Sequence, residues 1–230
     1  MVFRVRLPAL LALPLMLAGC VFGGGGEEDR PQQRIRPRAG GPVTVRRPAT
    51  ADTLQCHAEL AQAGVRFTPL PDQDFGSGCL VEGAVRLDDY GLPTSGLKAI
   101  RCPLAQRFVA WTRYAVQPAA RIVYGQAVVR IETYGTFSCR GIVGNGPAAS
   151  GRVSQHGLAN AIDIAGFTLS DGRRVTLTDG WNSQDERDRR FLRLIHESAC
   201  KRFTTVLSPD YNAAHYNHFH FDMSGRGFCR

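Results

Sequence analysis

Apolar residues change their spacing several times along the chain, and each change marks an element. Leu7 to Leu17 is an unbroken apolar run, too short for a full bilayer span. Thr53 to Ala63 has helical spacing, with Asp52 or Thr53 as the cap. Residues 71–96 are rich in turn formers. Ile100, Leu104, Phe108, Trp111 and Ala115 recur at helical intervals within Leu97–Val116, and Pro103 suits the first turn. Trp111 is predicted to be core. Ala127–Tyr134 and Asn160–Leu169 read as strands. Asp171-Gly172 is a tight turn that returns the chain as a hairpin through Val175–Leu177. Asp188–Phe203 is an amphipathic helix with Phe191, Leu194, Ile195, Ser198 and Ala199 near one face, and His218–Asp222 alternates as a strand. No internal repeat is visible. Helices and strands in this mixed order predict an α+β domain with a central, mostly antiparallel sheet flanked by helices.

The N-terminal residues read differently. Arg4 and Arg6 precede the apolar run, and the stretch ends Leu17-Ala18-Gly19-Cys20. Residues 1–19 are therefore expected to be an export signal. The Leu-Ala-Gly-Cys ending resembles a bacterial lipobox, which implies lipidation of Cys20 and a membrane anchor there. Val21 occupies the place where inner-membrane retention in enteric bacteria usually has Asp, so the expected location is the periplasmic face, at the outer rather than the inner membrane. Residues 20–53 combine the Gly23–Gly26 run with prolines and six arginines and few large apolar groups, the composition of a flexible tether. Residues 54–230 are long enough for one domain with its own core.

Behind an export signal, the six cysteines at 56, 79, 102, 139, 200 and 229 predict up to three disulfides. No C-x-x-C spacing favours a cysteine-rich metal site, and the spacings leave the pairing open. The formal charge of +8 is spread along the chain, with no basic patch interleaved with aromatics. Nucleic acid is not an expected partner.

Four of the six histidines fall in two stretches: His156 within SQHGLANAID, and His215, His218 and His220 within HYNHFHFDM. Residues two apart on a strand share a face. His218 and His220 therefore point one way, and Phe219 and Phe221 the other. Ile162 and Ile164 flank Asp163 in the same manner. His156, Asp163 and a histidine of the last cluster make two imidazoles and a carboxylate, the ligand set of an open catalytic Zn²⁺ site with one position left for water. Other divalent ions also suit this set. Histidines that are not ligands can carry protons near neutral pH, which makes His218 and His215 catalytic candidates. Arg140 is a candidate for opposing negative charge in the transition state. His57 and His196 lie on predicted helices as structural or surface residues.

Ser154-x-His156, Asp163 and His218-x-His220 together resemble the superfamily of lysostaphin-type peptidases, D-alanyl-D-alanine peptidases and hedgehog domains. The resemblance implies one Zn²⁺ held by His156, Asp163 and His220, with His218 at the reaction. The wider H-x-x-H-x-H is similar to murein endopeptidases and implies that His215 lines the site. Arg140 matches the arginine before S-x-H in the D-Ala-D-Ala branch. Across residues 56–223, Cys102-Pro-Leu-Ala, Trp111, Ser138-Cys139-Arg140, the Gly-x-Ala-Asn-Ala-Ile-Asp stretch and His215-x-x-His218-Phe-His220 resemble the bacterial extensin-like C-terminal family. The implied activity is zinc-dependent hydrolysis of peptide amide bonds in peptidoglycan. Asn217 stands where carboxypeptidase-like members have a general-base Glu. That departure leaves room for two alternatives: a non-catalytic zinc-containing envelope or wall-binding lipoprotein, and a hydrolase of another envelope amide or ester.

Overall fold

A computed structural model describes residues 35–143 and 151–230. The expected signal at residues 1–19, Cys20 and the tether up to residue 34 lie outside the described residues. In chain order the elements are β1 (Val43–Thr44), α1 (Ala51–Gln62), β2 (Arg66–Pro69), β3 (Gln73–Asp74), β4 (Leu80–Val81), β5 (Ala84–Asp89), β6 (Ile100–Arg101), α2 (Cys102–Trp111) and α3 (Gln117–Tyr124). They continue with β7 (Val128–Gly135), β8 (Ala161–Leu169), β9 (Arg174–Thr176), α4 (Leu177–Gly180), α5 (Glu186–Cys200), β10 (Thr205–Leu207), β11 (Phe219–Asp222) and β12 (Phe228–Cys229). The result is a mixed α+β domain with antiparallel sheets.

The main sheet has six strands in the order β12-β10-β11-β8-β7, with β9 also pairing β8. All its pairings are antiparallel except β10 with β12. Two three-stranded sheets, β1-β3-β4 and β2-β5-β6, complete the fold. β8 is the central strand, and eight of its nine residues are buried. Asp163 is buried within it, between Ile162 and Ile164, both fully buried.

One core joins the helices to the main sheet. Trp111 of α2 is fully buried, and its indole N–H donates to the Ile195 carbonyl of α5 at 2.9 Å. Its ring lies against Phe167 of β8 and edge-on to Phe221 of β11. Phe219 and Phe221 stack on this side of the sheet and leave the opposite side of β11 to His220 and Asp222. Full burial of each such ring is worth roughly 1.5–3 kcal/mol, so the register of β11 is fixed by its phenylalanines. A one-residue slip would send them to the polar face.

The helix boundaries follow local chemistry that differs in places from the expectations above. Thr50, not Asp52 or Thr53, caps α1, its hydroxyl accepting from the Thr53 backbone N–H at 3.2 Å. α2 does not stop at Val116: it passes through a π-helical turn over Thr112–Val116 into α3, which ends at Gly125 in the left-handed conformation. Pro118 sits at the start of α3, where its missing N–H costs little. α5 begins at Glu186, capped by Asp185, and its buried face is Phe191, Leu192, Ile195 and Ala199. Leu194 is exposed. Leu177 opens α4 instead of closing β9. Residues 71–96, expected mainly as turns, hold three short strands, β3, β4 and β5.

Three disulfides brace the domain: Cys56–Cys102, Cys79–Cys139 and Cys200–Cys229. They close separations of 46, 60 and 29 residues. In the chain-entropy picture, loops of this size stabilise the fold by roughly 4 kcal/mol each. Within the segment expected as a tether, the described residues from Ile35 lie along the domain. Val43 and Thr44 pair with β3, Arg38 bonds Asp74 at 3.1 Å, and Arg47 bonds Glu82 at 2.8 Å. No helix among the described residues is long and apolar enough to cross a membrane.

Candidate metal centre

The cluster begins with the short 3₁₀ turn Gln155–Leu158. The Ser154 hydroxyl caps it by accepting from the His156 N–H at 3.3 Å, and Ala159 ends it at φ 51°. Gly157 lets the turn pack tightly: a Cβ there would stand 2.7 Å from Val153 Cγ1 and 3.0 Å from Cys79 Sγ. The Cys79–Cys139 bridge thus supports the turn from below. The Ser138 N–H donates to the His156 carbonyl at 3.1 Å, and the Ser154 N–H to the Arg140 carbonyl at 3.0 Å. This ladder places Arg140 beside the histidine turn.

β8 and β11 supply the rest. His220 is the direct cross-strand partner of Asp163, and Asp163 also faces Gly135 at the end of β7. His156 Nε2 lies 3.0 Å from Asp163 Oδ2 and 3.2 Å from His220 Nδ1, and His220 Nδ1 lies 2.8 Å from Asp163 Oδ1. These three are 3%, 8% and 9% exposed. Four tetrahedral ligands at about 2.0 Å from Zn²⁺ sit about 3.3 Å apart, so a small outward shift of these three atoms would admit an ion. Burying three titratable groups this closely is costly unless a cation or protons balance the carboxylate.

The electrostatics without an ion follow from that closeness. Burial pushes the Asp163 carboxyl up, but hydrogen bonds with His156 and His220 outweigh it and hold it well below the usual carboxylate range. Burial pushes His220 down, while hydrogen bonds to Asp163 and Asp222 raise it to about 9. Protons bridging the cluster stand in for the positive charge of a metal.

Asp222 was not among the predicted site residues. It is 4% exposed, and its Oδ2 accepts from His220 Nε2 at 3.1 Å. The bond keeps a ring hydrogen on Nε2, so that a cation replacing the Nδ1 proton would meet an electron pair there, the orienting role of a carboxylate behind a metal-bound histidine. Strand alternation carries the signal: His218, His220 and Asp222 form an H-x-H-x-D run on one face.

The predicted catalytic residues gather at the rim. His218 is buried with Nε2 3.6 Å from Asp163 Oδ1, and its Nδ1 lies 2.9 Å from Asn217 Oδ1. The Asn217 amide nitrogen donates to the Tyr134 hydroxyl at 3.1 Å, and the Tyr134 ring stands edge-on to His218. His215 lies tilted against His218 and edge-on to His220, with Nδ1 2.7 Å from Asn212 Oδ1. Burial first, then the neighbouring imidazoles, hold His215 down at about 4 and lower His218 as well. The charge of Arg140 adds to both shifts. Arg140 has no carboxylate partner among the described residues; one guanidinium N–H donates to the Gly141 carbonyl at 3.3 Å. His57 is half-buried against Phe67, and His196 packs between Trp181 and Phe219, both away from this cluster. A cavity of about 890 Å³ lies elsewhere, walled by the 44–53 segment, Pro69–Asp72 and Glu82–Ala84; the His/Asp cluster does not line it.

The fold and the cluster together define a disulfide-braced α+β domain with two histidines and an aspartate converging from a turn and two adjacent strands. The chain belongs to the family of the extensin-like protein C-terminus, whose profile matches residues 54–230. No curated protein and no solved structure matches it.

Proposed function

We propose that the chain is a zinc-dependent hydrolase of peptide amide bonds in peptidoglycan, exported and anchored through a lipid at Cys20 to the periplasmic face of a membrane. The observation that carries the reading is the convergence of His156 Nε2, Asp163 and His220 Nδ1 within 2.8–3.2 Å, with unused histidines and an unpaired arginine at the rim. His156, Asp163 and His220 would hold the ion. Bound zinc supplies Lewis acidity, which acidifies water and polarises a substrate carbonyl.

The remaining steps fall to the chain's own side chains. Asn217 turns its amide nitrogen to Tyr134, so its carbonyl oxygen faces His218 and accepts the Nδ1 hydrogen. His218 Nε2 is then the basic nitrogen, aimed at the cluster. Asn212 Oδ1 does the same for His215. Both imidazoles are neutral at pH 7 by the shifts above; His218, aimed at the cluster, would accept a proton from water and return it to a leaving amine, while His215, held at about 4, is the weaker base and would serve chiefly to position that water. Arg140 opposes negative charge developing on the carbonyl oxygen. Asn217, in place of a carboxylate base, thus serves by orienting a histidine.

The test is digestion of cross-linked muropeptides by purified protein, with and without chelator. Chelator-sensitive cleavage is expected, and His218→Ala is expected to keep zinc while losing cleavage. Absence of cleavage of every cross-linked substrate by zinc-loaded protein would reject the hydrolase. The Asn at 217 favours one second reading, a zinc-holding envelope lipoprotein without turnover. It requires one zinc per chain, no cleavage, and an envelope phenotype indifferent to His218→Ala.

A further inference from the structure

The Cys200–Cys229 bridge differs from the other two in its surroundings. Cys56, Cys79 and Cys102 are buried and Cys139 and Cys200 are half-buried, whereas Cys229 alone of the six is exposed, at the sheet edge. His196 lies one helical turn before Cys200 on α5, on the same face. Its Nε2 stands 4.0 Å from Cys200 Sγ and 3.9 Å from Cys229 Sγ. The imidazole is held in that direction by Trp181 and Phe219, each with its ring centre 5.5 Å away. Two sulfurs and one nitrogen thus lie close enough to share an ion, and neither other bridge belongs to such a group among the described residues.

Backbone hydrogen bonds hold β12 in place beside the covalent bond. β12 pairs with β10 through Phe228 N–H to the Thr204 carbonyl at 2.8 Å and Arg230 N–H to the Val206 carbonyl at 3.0 Å. The Ser208 N–H donates to the Arg230 carbonyl at 2.7 Å. Cys229 is therefore presented to Cys200 and His196 by three backbone hydrogen bonds. Burial lowers the basicity of His196, which keeps the ring neutral with an electron pair to donate.

We propose that Cys200–Cys229 is the preferentially reducible disulfide of this protein, and that its reduced form, with His196, is a Cys₂His site for a thiophilic cation of the Zn²⁺ class. A dithiol supplies the two electrons. Its thiolate attacks the exposed Cys229 sulfur, the Cys200–Cys229 bond breaks, and Cys200 leaves as a thiolate that takes a proton. The second thiol of the reductant then displaces Cys229 from the mixed disulfide. The reductant ends as its cyclic disulfide and the protein holds two thiols. Binding the cation releases one proton from each thiol, and His196 Nε2 completes three protein ligands of a type that suits zinc. The bridge and the cation site are alternative braces for β12. This inference is independent of the hydrolase reading and of the His156/Asp163/His220 cluster.

The experiment treats the full chain with graded dithiothreitol, alkylates it, and maps the labelled cysteines by mass. With Cys20 blocked by alkylation before reduction, Cys200 and Cys229 are expected to label before the four cysteines of the other two bridges. The reductant is then removed without oxygen and Cd²⁺ is titrated in. Thiolate-to-cadmium charge-transfer absorption is expected to saturate at one ion per chain. The His156/Asp163/His220 cluster cannot contribute to this band, having no sulfur. His196→Ala is expected to weaken the Cd²⁺ site ten-fold or more, and Cys229→Ser to remove most of the band. A folded Cys200→Ala/Cys229→Ala variant, read by circular dichroism, establishes that β12 docks without the bridge. Equal reducibility of all three disulfides, absence of the band, binding unchanged in His196→Ala, or unfolding of the double variant would each overturn the proposal.

Discussion

Asp222 decides which nitrogen of His220 is left for a cation. It accepts the Nε2 hydrogen at 3.1 Å, and its other oxygen is engaged by the N–H and hydroxyl of Ser224 at 2.8 and 2.7 Å. The carboxylate is thus held in place before it orients the imidazole. Asp222→Ala should weaken zinc affinity by about 10–100-fold while leaving Phe219 and Phe221 packed; competition with a chromophoric chelator measures the first and near-ultraviolet circular dichroism the second. Unchanged affinity would remove Asp222 from the centre. At this scale much was legible beforehand. The alternation around His218-Phe219-His220-Phe221 told which side chains face the core, and the structure places them so. Asp222 lies within the same pattern, but an aspartate at the end of a strand ordinarily binds the following turn, as this one does through Ser224. Tyr134 had no such signal, since a hydrogen bond between residues 83 apart, as Asn217 makes with Tyr134, leaves no local trace.

Among the elements, the 155–158 turn is the least tolerant. It has to bring His156 against β8 while its floor is a disulfide. Gly157→Ala should cost about 1–3 kcal/mol by overpacking against Val153 and Cys79, and should lower zinc occupancy more than an equally destabilising change in α1. Thermal melts paired with metal analysis separate the two effects. Equal occupancy at equal stability would mean the turn does not govern the centre. β8 could be read because it is an almost continuous run of small and apolar residues, and α5 because it buries one face over several turns. The two-residue strands β3, β4 and β6 could not, because nothing that short has a period. The apolar spacing that marks α2 ends near Val116, whereas the helical backbone runs on through the π-helical turn into α3, with Pro118 at the first positions of α3.

For the molecule as a whole, the charge of the metal-free cluster links stability to pH. His220 is raised from its ordinary 6.5 to about 9 in the folded chain. Its contribution is complete below the ordinary value and disappears as the pH climbs through the raised one. With chelator present, the melting temperature should therefore fall between about pH 6.5 and 9, whereas saturating zinc should abolish the fall by replacing the proton. A metal-free melting temperature that rises over this interval would contradict the arrangement. The α+β class and a framework of three disulfides followed from element order and an even cysteine count. The pairing did not, because cysteine spacing constrains it too weakly.

The family match opens at Leu54, but the folded chain is organised earlier. Thr50 starts α1, Val43–Thr44 forms the third strand of a small sheet, and Arg38 and Arg47 are tied to Asp74 and Glu82. A recombinant fragment trimmed to the family boundary would discard the first helical turn and strip one wall from the 890 Å³ cavity. For biochemical work, the natural cut lies upstream of Ile35.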